Sequence, residues 1–264
     1  MQLRTAALII LSLALSLAVF GLLDPIAQDP TYHQFSDQRL VAGIPNFHDT
    51  LSNLAFLATG FFGLLALACL PAGIARGRAP WWPAAVWFFF SVMLIGLGSA
   101  YYHLAPDNDR LLWDRIPITL GAMSLLSTFI ADRVDSGRGI QLYLPALLLA
   151  GAGSAVYWWL TQAAGQGDLR PYVVAQFLPL LAIACVCIAY PTGTWLSGQK
   201  FATMLLLYGL AKMSESNDLL IYLASGGIIS GHSLKHYLAA LATGIPVVHL
   251  LQLRHSPSRY LVHT

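Results

Sequence analysis

Apolar residues gather into eight runs, each close to the roughly 20 residues that carry a helix across a bilayer core. They are Thr5–Leu23, Leu51–Leu70, Pro83–His103, Leu111–Ala131, Leu142–Leu160, Pro171–Tyr190, Phe201–Leu223 and His232–Leu251. The joints between them carry turn-forming punctuation: DPIAQDP (24–30), PAGIARGRAP (71–80), DSGRG (135–139), AAGQGD (163–168), PTGTWLSGQ (191–199) and SGG (225–227). The pattern predicts an all-α, polytopic transmembrane helix bundle, with no internal repeat, no low-complexity tract and no soluble domain.

Composition agrees with that pattern. Of 264 residues, 57% are hydrophobic and 10% are charged, a mix that suits a membrane and not a soluble domain of this length. A net charge of +2, thinly scattered, excludes nucleic acid as a partner class. Cys69, Cys185 and Cys187 all sit within apolar runs, where they pack as small hydrophobes. The first run follows a short basic start, as a signal peptide does. Its length and the lack of a clear small-x-small cleavage site point to a retained helix.

Basic residues in short loops set orientation. With eight spans, Arg4, Arg76, Arg78, Arg133, Arg138, Lys200, Arg254 and Arg259 fall on one side, which makes both termini cytoplasmic. Four polar helix ends then meet at the opposite face, those at Asp49, His103, Asp114 and His232.

These ends carry the candidate chemistry. Ser99 and His103 stand four apart on one helix face, and so do His232 and His236. Two imidazoles at that spacing can bind one metal, and His103 would supply the third neutral nitrogen of a zinc site with a fourth position left for water. Asp114 would be the nearby carboxylate, orienting a ligand or moving a proton. Each residue has a plainer reading as a packing or capping group. The joint reading rests on the cost of polar groups in a membrane and on their convergence at one side.

Two further clusters remain open between structure and function. Asp49, Ser52 and Asn53 form a polar stripe on an apolar helix, which suits either capping and interhelical hydrogen bonding or support of a site. Lys212, Glu215 and Asp218 recur at three-residue spacing, as either an internally compensated ion network or a polar wall for a lipid headgroup. The other histidines, His33, His48, His249, His255 and His263, are expected at the surface or the membrane interface.

Four pieces in order, DTLSN (49–53), GLGSAYYH (96–103), LLWDRIP (111–117) and SGHSLKH (230–236), resemble the alkaline ceramidase family, within the wider group of membrane hydrolases that includes adiponectin-receptor-like proteins. The resemblance covers nearly everything after residue 40. It implies a seven-helix hydrolase core over 41–264, preceded by an additional N-terminal helix and polar loop over 1–40. It also implies a zinc ion on His103, His232 and His236, Ser99 steadying an oxyanion, Asp114 assisting proton transfer, and hydrolysis of the amide in ceramide-like membrane lipids. Animal members carry an acidic, tryptophan-containing calcium loop ahead of the core. Here DQRLVAGIPNFHDT (37–50) places Asn46 near an acidic ligand position, which argues against a calcium site. Two other classes share these residues: a receptor or sensor with a structural zinc, and a transporter, which the missing internal repeat disfavours.

The orientation is directly testable. A cysteine placed at residue 107 in a background lacking the three native cysteines should react with an impermeant thiol reagent from the non-cytoplasmic side. Labelling from the cytoplasm would reverse the topology.

Overall fold

The computed structural model describes residues 2–71 and 79–255. Arg76, Arg78, Arg259 and His263 lie outside the described residues, as does the side chain of His255. Ten helices organise the described residues: α1 (Gln2–Leu22), α2 (Phe47–Leu51), α3 (Leu54–Ala68), α4 (Trp82–Leu104), α5 (Asn108–Arg133), α6 (Leu144–Ala163), α7 (Arg170–Ala189), α8 (Gly198–Ser216), α9 (Asp218–Ala224) and α10 (Gly231–His255). Shorter helical turns occupy Pro30–His33 and 136–143. No strand occurs among the described residues, only an isolated bridge between Val41 and Ile44. The architecture is the all-α bundle that the apolar runs predict.

Among the described residues, six segments are long and apolar enough to cross a membrane: Leu3–Leu22, Phe47–Ala68, Trp82–Leu104, Ser136–Ala163, Arg170–Ala189 and Gly231–Arg254. Eight were expected. The runs at Leu111–Ala131 and Phe201–Leu223 do form helices, α5 and α8, but neither meets both criteria of length and hydropathy. Both carry charged residues, Asp114 and Arg115 in the one, Lys212 and Glu215 in the other.

The helices α3, α4, α5, α7, α8 and α10 form a closed ring in that order, each packing on the next and α10 returning to α3. Outside it, α6 rests on α5 and α7, and α1 on α7. Arg4 donates to the Ala189 carbonyl at 3.0 Å, while Arg170 donates to the Leu23 carbonyl at 2.7 Å. The two ends of α1 are thus pinned to opposite ends of α7, and the pair runs antiparallel.

Two apolar runs are interrupted where polar side chains compete for the backbone. The run starting at Leu51 breaks between α2 and α3, where Asn53 Nδ2 and Ser52 Oγ both donate to the Asp49 carbonyl, at 2.8 and 3.1 Å. The seventh run, expected to continue to Leu223, ends at Ser216. Asn217 adopts φ −113° and ψ 33°, and its Nδ2 donates to the Met213 carbonyl at 2.8 Å. Gly231 opens α10 against this break, since a Cβ there would stand 2.2 Å from the Ser214 carbonyl oxygen.

The crossing of α4 and α5 depends on another glycine. A Cβ on Gly98 would lie 2.1 Å from the Trp113 carbonyl oxygen, so only glycine allows this approach of backbones. Ser99 and Asp114 are the next residues on each helix. Gly98→Ala should separate α4 from α5 and destabilise the fold by about 1–3 kcal/mol, read as a lowered midpoint in thermal unfolding of detergent-solubilised protein. An unchanged midpoint would show that the crossing is not tight.

Candidate metal centre

The histidines expected to converge do so. His103 lies at the end of α4, His232 and His236 in the first turns of α10. All three are buried, and one nitrogen from each falls within 4.8 Å of the others. The Nε2 atoms of His103 and His232 are 3.1 Å apart. Nitrogens on a tetrahedral metal with bonds of about 2.0–2.1 Å would stand roughly 3.3 Å apart, so the donor set fits one ion. Among the described residues this is the group of three or more such side chains able to hold a metal.

For His236 the surrounding hydrogen bonds leave a bare nitrogen available to a metal. Ser52 Oγ lies 2.7 Å from His236 Nδ1 and donates to the Asp49 carbonyl at 3.1 Å. With its own proton committed, Ser52 accepts from the Nδ1–H of His236, which leaves the bare Nε2 for a metal. His103 Nδ1 has no partner among the described residues.

The start of α10 is held by carboxylates at its positive end. Asp49 Oδ1 accepts from the Ser230 and Ser233 hydroxyls at 2.7 and 2.5 Å. Ser230 Oγ accepts the Ser233 amide at 2.8 Å, and Asp218 Oδ1 accepts the His232 amide at 2.7 Å. Asp218 therefore caps α10 instead of joining the expected line of ion pairs, because the break at Asn217 turns it off the α8 face. Its second oxygen accepts the Ser36 amide at 2.9 Å.

Lys212 and Glu215 do pair, and Lys235 completes the group, its Nζ 2.9 Å from Glu215 Oε1 and 2.9 Å from His232 Nε2. The Asp114 carboxyl interacts with the Ser99 hydroxyl across the α4–α5 crossing. Both residues line a cavity of about 360 Å³ inside the helix ring, shared with His236, Lys235, Glu215 and Arg115 at its polar end. Its remaining walls are mainly apolar, with Phe88, Leu125, Phe201 and Met204 among them.

Several contributors have no obvious mark in the sequence. Phe35, in the loop after α1, is buried with its ring 4.5 Å from both His103 and His232. That loop is braced by Arg39, whose guanidinium donates to both Asp37 oxygens at 2.7 and 2.8 Å. Burial raises the Asp37 pKa, but the hydrogen bonds from Arg39 outweigh it and hold the carboxyl below its ordinary range. Asn46, in left-handed conformation at φ 45°, donates to the His103 carbonyl at 2.8 Å. His33 is also more engaged than an interfacial residue, with Tyr102 Oη at 2.9 Å and Asn108 Oδ1 at 3.1 Å. Lys235 did carry a signal, as a lysine at membrane depth three residues beyond His232. His249 sits half-buried far along α10, 2.9 Å from Lys200 Nζ.

Purified wild-type protein should hold a near-stoichiometric transition metal by elemental analysis, and His236→Ala should lose it. Ser52→Ala should keep the site and weaken metal affinity about 10–100-fold. Equal metal content in wild type and His236→Ala would refute the assignment. No family model matches the chain and no curated protein matches it, so the reading of this centre stands on its own residues.

Proposed function

We propose that the protein is a zinc-dependent intramembrane amidase, which hydrolyses the N-acyl bond of ceramide-like lipids to a fatty acid and a long-chain base. The observation that carries this reading is that His236, from the histidine cluster, lines the same cavity as Ser99 and Asp114. A hydrolase needs an electrophile-activating centre, a proton carrier and an oxyanion donor around one point. The resemblance of the four sequence pieces to alkaline ceramidases supports the same reaction.

Three neutral imidazoles with room for a further ligand suit zinc, which when bound supplies Lewis acidity and hydroxide at neutral pH. The apolar walls take the acyl chain, and the polar end takes the amide and headgroup. Asp114 receives a proton at its carboxylate as water attacks, and returns it to the leaving amine. Ser99 has one hydroxyl proton to share between the Asp114 carboxylate, with which it interacts, and the substrate. Turning that hydroxyl toward the substrate carbonyl does two things at once: it steadies the developing negative charge and frees the carboxylate. Under the positive-inside assignment, the reaction takes place toward the periplasmic, lumenal or extracellular side of the membrane, with both termini cytoplasmic.

Ser99→Ala and Asp114→Asn should both retain metal, since neither side chain is among the nitrogen donors. Loss of one oxyanion donor costs about 10²–10³ in kcat elsewhere, and a fall of that order is expected for Ser99→Ala in fatty-acid release from N-acyl lipids. Full turnover by Ser99→Ala would remove its role, and no fatty-acid release by wild type from any N-acyl lipid would refute the amidase.

A further inference from the structure

Arg115 is an unusual occupant of the cavity wall. It is 5% exposed, and no carboxylate lies within ion-pair distance of it among the described residues. Its sequence neighbour Asp114 forms no ion pair with it and interacts with Ser99 instead. The guanidinium carbon sits 3.9 Å from the centre of the Trp158 ring, 4.7 Å from that of Tyr172 and 5.7 Å from that of Tyr32. Nη2 donates to Gln28 Oε1 at 2.6 Å, while Nη1 is buried with no partner.

Aromatic faces and one amide oxygen compensate a buried guanidinium only in part. A planar fork with a free N–H is the group that recognises carboxylate and phosphate oxygens. The rest of the polar end has the same sign: Lys212 and Lys235 share the single carboxylate of Glu215. Arg115, Tyr32 and Tyr172 all line the cavity that holds Ser99 and Asp114, so a ligand reaching Arg115 spans the proposed reaction centre.

We propose that Arg115 is the receptor for an anionic oxygen group on an amphiphile bound in the cavity, and that the substrates are N-acyl lipids with an acidic headgroup. The substrate class rests on the amidase reading; the anion site does not. The oxyanion could be the headgroup of the intact lipid or the carboxylate of the released fatty acid, and the two can be separated.

The test is equilibrium binding to detergent-solubilised protein, by competition against a fluorescent fatty-acyl probe. The competitors are N-dodecanoylglycine, its neutral counterpart N-dodecanoylethanolamine, and dodecanoate. A charge-assisted hydrogen bond is stronger than a neutral one, so wild type should prefer N-dodecanoylglycine to the neutral compound by roughly ten-fold or more. Arg115→Gln should abolish that preference and Arg115→Lys should keep part of it. If only dodecanoate binding falls in Arg115→Gln, the site is an oxyanion receptor serving the product, and the acidic-headgroup assignment is overturned. Equal wild-type affinity for all three compounds overturns the anion site itself, and that measurement needs no variant to fold. Selective binding of the acidic compound without hydrolysis of any N-acyl lipid would support the site while refuting the amidase.

Discussion

The carboxylate of Asp49, in α2 just ahead of the first helix of the ring, ties that end of the ring to the last helix. Its Oδ1 accepts from Ser230 and Ser233 across a sequence separation of more than 180 residues. These bonds lie in a buried, low-dielectric region where each polar group must find a partner or raise the free energy of the fold. The contact closes α10 against α2 and α3 and completes the ring. It also sets the rotation and height of α10, and with them His232 and His236. The backbone carbonyl of the same residue receives Ser52, which orients His236. One residue therefore links closure of the bundle to the direction of a candidate ligand.

A second constraint is the distribution of polarity within the ring. Along most of its length the cavity is lined by apolar side chains, and its ionisable groups collect at one end. There Glu215 compensates Lys212 and Lys235, which isolated charges at membrane depth cannot do, while Arg115 is left without a carboxylate among the described residues. Positive groups outnumber carboxylates among these residues and Asp114. This imbalance would be hard to rationalise as packing alone and is natural beside an anionic ligand. The cap of α10 uses two carboxylates, Asp49 and Asp218, at a helix N-terminus, where the aligned peptide dipoles favour negative charge.

The site was legible in the sequence to the extent that it is built from helical spacing. Ser99 with His103, and His232 with His236, follow from the 3.6-residue period alone, and loop charges brought their helix ends to one face. The seventh run shows where that reasoning stops. Spacing placed Asp218 in line with Lys212 and Glu215, but Asn217 bonds back to Met213 and breaks the helix, which sends Asp218 to the His232 amide. Hydropathy registers the residues of such a run and not the competition of one amide side chain for a backbone carbonyl.

The sequence by itself therefore determined the all-α membrane class, the approximate course of most helices and the pairs of polar residues within single helices. These depend on local period and on transfer of apolar surface from water, which act over a few turns. Only the tertiary structure decided that Asp49 reaches Ser230 and Ser233, that Phe35 covers two imidazoles, and that Arg115 faces the cavity without an acidic partner. Those facts depend on contacts between residues distant in the chain, whose register is settled by interhelical packing such as the approach of Gly98 to Trp113. No periodicity along a single helix encodes that register.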